Sequence, residues 1–313
     1  VEQFAEDVRR GLSATPKFLL PHYFYDALGS ALFNAICELP EYYVTRAETE
    51  ILTRHGAEIA AAFGEPARVV ELGSGSARKS RLLIEAILAR QDELEYIPVD
   101  VDAGMLESSS QRLLDEFPSL MIHAVRADFR DPAATLGDIV IPDPGARTIV
   151  LFLGSSIGNL DLDTAVTMLA SLRTLLAPGD ALFLGADLQK PREILEPAYD
   201  DPLGVTAAFN LNVLARINRE LGGEFDIRSF AHRAFYNEAA GRIEMHLLSR
   251  RAQTVRIGDF TATFAEGESI HTENSHKYDE ATLEALAARA GFRVARRWTD
   301  ARGWFADLLM AAE

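Results

Sequence analysis

Val69-Val70-Glu71-Leu72-Gly73-Ser74-Gly75-Ser76 runs an apolar stretch into an acid and then into two glycines one residue apart. The β-branched pair predicts a buried strand, and the glycines predict a tight turn where the backbone can approach a ligand closely. Leu82, Leu83, Ala86 and Ile87 then recur at helical spacing within 79–90, so the stretch reads as strand, turn, helix. A dinucleotide turn, G-x-G-x-x-G/A, needs a small third position for close helix packing. Counted from Gly73, that position is Arg78, which weakens the dinucleotide reading.

The same alternation continues outward. Short apolar runs at 68–72, 95–101, 121–127, 148–153 and 180–186 predict strands, with helical windows at 79–90 and 165–176 between them. Pro178-Gly179 stops the second of these helices. Such βαβ repetition predicts a parallel sheet. The runs 292–298 and 304–310 predict an antiparallel pair closing it. Two segments break the pattern. Residues 1–47 are helical and rich in aromatics. Residues 190–277 hold a helix, Val205–Leu221, then strand-like Arg242–Ser249 and Gln253–Ile257. We therefore expect a Rossmann-like α/β domain from 48–189 and 278–313, with a smaller substrate-binding lobe from 1–47 and 190–277.

Ligands in such sheets sit beyond the carboxyl ends of the strands, and acids recur there. Glu71 would repel a pyrophosphate but welcome an amino group. Asp100 ends the second strand and suits two ribose hydroxyls. Asp128-Phe129 follows the third and suits an adenine amine and its ring. S-adenosylmethionine meets that description. Each acid, taken singly, also fits a helix N-cap. The fourth strand leads into Gly154-Ser155-Ser156-Ile157-Gly158-Asn159, where Asn159 is a candidate for orienting an acceptor or, equally, a helix cap.

Composition narrows the classes. With 47 acidic against 31 basic residues the net charge is −16, which opposes polyanion binding, so no nucleic-acid partner is expected. No run approaches the roughly 20 apolar residues of a membrane helix. One cysteine, Cys37, rules out an internal disulfide and fits a cytoplasmic location. The seven histidines show no paired ligand spacing, so no metal is expected. G-x-S-x-G is absent, which disfavours a serine nucleophile. A nicotinamide-dependent oxidoreductase and a non-catalytic sensor remain open as other readings.

Further motifs carry a family resemblance across nearly the whole chain. They are Phe24-Tyr25-Asp26, Leu39-Pro40-Glu41-Tyr42-Tyr43, Glu71-Leu72-Gly73-Ser74-Gly75 and Phe152-Leu153-Gly154-Ser155-Ser156-Ile157-Gly158-Asn159. Tyr199-Asp200-Asp201, Arg242-Ile243-Glu244-Met245 and Thr272-Glu273-Asn274-Ser275 complete the set. In this order they resemble the histidine-specific Nα-methyltransferases of ergothioneine biosynthesis, which convert L-histidine to its trimethylbetaine, hercynine. The resemblance implies S-adenosylmethionine as cofactor, at Glu71, Gly73, Ser74, Gly75, Lys79, Asp100, Asp128 and Phe129. It implies that Asn159, Tyr199 and Tyr42 hold the substrate carboxylate and amine, with Asn159 and Tyr42 nearest the chemistry. Glu273 and Ser275 are the implied imidazole readers, with Tyr25 and Met245 lining that side. The chain departs from the family pattern at Val44, where a proline commonly follows the tyrosine pair, and carries Asn274 and His276 beside the readers. These positions bear on the choice of amine, so another amino acid or small amine is the alternative acceptor.

Overall fold

In the computed structural model, described for residues 2–137 and 145–312, every residue of the strand Ala67–Leu72 is buried. An apolar strand needs that when helices cover both faces of its sheet. It lies at the centre of an eight-stranded sheet. The order across the sheet is Phe292–Thr299, Phe305–Ala312, Ala181–Asp187, Arg147–Phe152, Ala67–Leu72, Leu94–Asp100 and Leu120–Ile122. The short Val125–Arg126 also pairs with Leu94–Asp100. The five strands from Ala181–Asp187 to Leu120–Ile122 are parallel, whereas Phe305–Ala312 runs antiparallel between Ala181–Asp187 and Phe292–Thr299.

This is a Rossmann-like sheet closed by a C-terminal antiparallel pair. The chain reverses direction across it between Ala67–Leu72 and Arg147–Phe152, the switch point at which such sheets bind ligands. The expected strands all form, except that 121–127 is split into Leu120–Ile122 and Val125–Arg126. Val70, Leu72, Val99, Val150, Phe152, Leu169, Leu184, Leu286 and Met310 belong to one core that joins the sheet to its helices.

The chain divides into two compact units. One comprises Val1–Tyr43 with Lys190–His276, the other Val44–Gln189 with Lys277–Glu313. The break expected at 47/48 falls instead after Tyr43, because the helix Tyr43–Phe63 runs unbroken through that point. Val44 lies in its first turn, where a proline's missing N–H costs nothing. Exchanging the family's proline for valine therefore leaves this helix start intact.

The first unit is built on a four-stranded sheet ordered Lys17–Phe18, Ser269–His276, Arg242–Ser249 and Phe230–Asn237. Three of these strands, Lys17–Phe18, Phe230–Asn237 and Ser269–His276, have no counterpart among the strands expected from the sequence. The helices Ala27–Cys37 and Val205–Leu221 belong to the same unit. Rings of Phe24 and Phe209 pack at 4.7 Å between centroids, and Asn212 Nδ2 donates to Asp26 Oδ1 at 2.8 Å. Among the described residues, no helix is long and apolar enough to cross a membrane.

Candidate active site

In the second unit the glycine turn has the geometry its composition demands. Gly73 and Gly75 both take positive φ, +70° and +50°, a region that costs side chains strain. A Cβ on Gly73 would lie 3.3 Å from the Phe129 ring, whereas one on Gly75 would meet nothing within 4 Å. Gly73 N donates to Val99 O at 2.8 Å, tying the turn to the neighbouring strand. Asp100 spans both loops: Oδ2 accepts from Gly75 N at 2.9 Å and Oδ1 from Asp102 N at 3.0 Å. Burial raises the Asp100 carboxyl, and these backbone donors oppose the rise.

Helix caps in this unit fall to other residues. Asp102 caps Ala103–Glu116, Asp131 caps Pro132–Leu136 and Asp161 caps Leu162–Arg173. That removes the capping alternative for Asp100, Asp128 and Asn159 alike. Asn159 instead ends the 3₁₀ turn Ser156–Asn159 and is half-buried. Asp128 is gripped by the Arg130 guanidinium, with Nε at 2.8 Å from Oδ2. The Phe129 ring meets Phe152 edge-on at 5.5 Å.

Glu71 departs from its expected role. It does not present its carboxylate at the turn: Oε2 accepts from Ser80 Oγ at 2.5 Å and from the Tyr96 hydroxyl, and the residue is 2% exposed. Burial pushes this carboxyl up to about 7, against the two hydroxyl bonds that pull it down. It is a structural acid under the turn.

Two further acids escaped the sequence analysis. Glu48 is fully buried and accepts from Gly154 N with both oxygens, at 2.9 and 3.0 Å, while also pairing with Lys79. Lys79 therefore points inward, whereas Arg81 pairs with Glu116 on the exposed face. Asp307 is also fully buried, and neither of its carboxyl oxygens has a hydrogen-bond partner. Burial first, and then repulsion from Glu48, lifts it well above the usual carboxylate range. Signals for both were present: Glu48 falls among Val44, Ala47, Ile51 and Leu52, and Asp307 interrupts the apolar run Phe305–Met310.

The residues of this unit fit S-adenosylmethionine. Ser74 Oγ is buried without a partner at the turn, space opens above Gly75, and an aromatic ring flanks Gly73. Asp100 and Ser74 would hold the polar groups, and Phe129 the flat base. A buried polar atom without a partner is rare unless a ligand or water serves it.

In the first unit, Tyr25, Tyr42, Tyr199, Met245, Glu273 and Ser275 form one cluster, buried except for the half-buried Tyr25, whereas the expected Asn159 belongs to the second unit. The hydroxyls of Tyr199 and Ser275 are bonded at 2.7 Å. Tyr42 meets Tyr199 edge-on at 6.0 Å and Phe33 at 6.1 Å, and Tyr25 meets Phe33 and Phe209, each at 5.6 Å. Glu273 stands directly opposite Met245 across the strand pair, and Ser275 opposite Ile243. Glu273 and Ser275, two apart on one strand, share a face, and Met245 shares it with them. Burial, then the neighbouring Tyr199, Cys37, Tyr25 and Glu273, raises the Tyr42 hydroxyl well above its ordinary value. Tyr42 thus stays protonated and can donate as well as accept, but it cannot act as a base at neutral pH.

Chemically, one unit offers a nucleoside-binding turn with no pyrophosphate cradle. The other offers a carboxylate, a hydroxyl and tyrosines in a buried, ring-lined cluster. Comparison with known proteins gives the family. A family profile described as histidine-specific methyltransferase, SAM-dependent, matches residues 4–312. The histidine N-alpha-methyltransferase of Mycolicibacterium smegmatis is 47% identical over 97% of this chain and 93% of its own length. Ergothioneine biosynthesis protein 1 of Schizosaccharomyces pombe is 28% identical over 88% of this chain and 36% of its own length. An L-tryptophan methyltransferase of Psilocybe serbica is 28% identical over 92% of this chain and 86% of its own. With a turn built for S-adenosylmethionine and a match spanning both units, the chain belongs to the histidine-specific, S-adenosylmethionine-dependent methyltransferase family.

Proposed function

We propose that the protein transfers methyl groups from S-adenosylmethionine to the α-amino nitrogen of L-histidine, three times, giving hercynine for ergothioneine biosynthesis. The observation that carries the choice of acceptor is the single buried face holding Glu273, Ser275 and Met245, with Tyr199 bonded to Ser275. An imidazole N–H donates to the Glu273 carboxylate, and Ser275 meets the other ring nitrogen. Such a charge-assisted bond contributes roughly twice what a neutral one does. An apolar side chain would forgo that charge-assisted bond and is disfavoured by the difference.

S-adenosylmethionine supplies an electrophilic methyl group when bound, and its sulfonium needs no metal to activate it. The work left to the protein is positioning and orientation. Asn159 and Tyr42 orient the neutral amine, and Tyr199 and Asn159 hold the carboxylate. These groups are uncharged, so they tolerate the positive charge that each methylation restores to nitrogen. Phe129 and Asp100 serve the nucleoside, with Lys79 and Asp128 beside them. The partner is a small molecule and not a nucleic acid, in keeping with the net charge of −16. A cytoplasmic location accords with the lone cysteine.

Incubation with L-histidine and S-adenosylmethionine, followed by product mass, tests the proposal. A gain of three methyl groups is expected. No mass gain on histidine, with turnover on another amine, would overturn it. The second reading, a different amino acid as acceptor, is favoured by the Psilocybe serbica relative, and tryptophan is the first amine to compare.

A further inference from the structure

The sheet that presents Glu273 has a reverse face, and chemistry-bearing residues collect there too. His246 stands directly opposite His271 across the strand pair, and Glu244 lies two residues before His246 on the same strand. Residues directly opposite, and residues two apart on one strand, share a face. Met245, between Glu244 and His246, therefore points to the other side with Glu273. Ordinary alternation would place His271 on the side of Glu273 as well. The register shift between His271 and Glu273 separates them, since one extra residue in a strand reverses the facing of every residue beyond it.

We propose that Glu244, His246 and His271 form a binding site for a divalent transition-metal ion of the zinc class, distinct from the residues assigned to methyl transfer. Donor atoms from the three side chains all lie within 4.8 Å of one another. Glu244 Oε2 and His246 Nε2 are 3.2 Å apart. Two ligands bound at about 2 Å around a tetrahedral ion lie about 3.3 Å from each other. The imidazole rings of His246 and His271 have centroids 5.0 Å apart.

The supporting shell is in place as well. His271 Nε2 lies 2.8 Å from Asn274 Oδ1 and 3.1 Å from the Glu273 carbonyl. That arrangement leaves Nδ1 for an ion, and metal-bound histidines as a rule use the second ring nitrogen in this way. Arg242 donates to Glu244 Oε1 at 2.8 Å and Asn237 Nδ2 to the same oxygen at 3.0 Å. Together they fix the carboxylate while leaving Oε2 turned to His246. His246 Nδ1 is buried without a hydrogen-bond partner, so this ring, unlike that of His271, is held by packing and not by an outer hydrogen bond. Phe235 stacks on the His246 ring at 5.4 Å and holds its plane.

The donor set selects the ion. Two imidazoles and one carboxylate suit zinc and its first-row neighbours, whereas magnesium and calcium demand oxygen ligands. Three protein ligands leave a fourth position open. The Arg242 guanidinium offsets the Glu244 charge, so the nitrogen donors carry the affinity. The contact from His271 to the Glu273 carbonyl gives a bound ion a structural part to play, pinning the register shift.

Zinc titration of the tag-free, chelator-treated chain tests the site, with Co2+ as the spectroscopic stand-in. Binding of one Zn2+ per chain is expected, with a raised melting temperature and a visible Co2+ spectrum of low-coordinate type. His246→Gln and His271→Gln should each abolish stoichiometric binding. Asn274→Ala should weaken it by about 10-fold through the outer hydrogen bond. His55→Gln, outside the cluster, should change nothing. Melting in chelator shows whether each variant is folded; should one fail, the other and Asn274→Ala decide. Absence of stoichiometric Zn2+ binding, or equal affinity in the parent and a folded cluster variant, would overturn the assignment.

Discussion

The glycine turn of the second unit and the polar cluster of the first reach their binding geometry by opposite routes. At the turn, contiguous backbone does the work: positive φ at Gly73 and Gly75, a strand carbonyl at Val99 and one carboxylate, Asp100, that ties two loops together. In the cluster, side chains do it. Tyr42, Tyr199, Met245, Glu273 and Ser275 are drawn from distant parts of the sequence and meet through strand pairing and ring packing. A backbone site serves a cofactor common to many enzymes. A side-chain site can be re-cut for a new acceptor without disturbing that cofactor.

If that division holds, substitutions should separate cleanly by which ligand they affect. The largest effect is expected from Gly73→Val, where positive φ and the Phe129 ring both resist a side chain. Calorimetry should show S-adenosylmethionine binding weakened by roughly 100-fold or more. Retained affinity would mean that the turn is not the cofactor cradle. Glu273→Ala should come next, lowering kcat/KM for histidine by about 100-fold while leaving cofactor affinity unchanged. A loss shared equally by both ligands would dissolve the distinction between the regions. Tyr199→Phe removes one hydroxyl from the Ser275 bond and should cost histidine use about 5- to 10-fold, measured the same way.

The smallest effect on activity is expected from Glu71→Gln, which should touch stability alone. The folded-state value near 7 exceeds the ordinary 4.5. The folded chain thus keeps a proton that the unfolded chain releases between those limits, and stability falls as pH rises through that window. Glu71→Gln should flatten this fall. Its melting temperature should match the parent near pH 4.5 and exceed it by a few degrees above about pH 7. A pH profile identical to the parent's would show that Glu71 titrates normally and is not the structural acid described above.

Much of the second unit was legible because its signals are local. Apolar runs, a glycine pair and strand-end acids each lie within a few residues, and helix and strand periodicities report them directly. Asp100 was singled out by its place at the end of a strand. Glu71 was misplaced because sequence adjacency to the turn does not reveal which way a carboxylate faces, and Ser80 and Tyr96 take it inward. Glu48 was passed over because an acid among apolar helical residues shows its value only when Gly154 and Lys79 arrive from elsewhere. The grouping of the polar cluster was expected only through family resemblance. Nothing in the spacing of 42, 199, 245, 273 and 275 predicts that they meet.

By itself, the sequence determined the alternating strands and helices, the glycine turn and a family-wide set of motifs, because each depends on residues close along the chain. Only the tertiary structure decided which side chains share a face. It joined Tyr199 to Ser275 and turned Glu71 inward. It also set His246 against His271, although the two lie far apart in sequence. The last depends on a single register shift in the strand Ser269–His276, which sends His271 to one side of the sheet and Glu273 to the other. Strand pairing is a long-range contact, and a one-residue slip reverses every facing beyond it; local sequence carries no record of that choice.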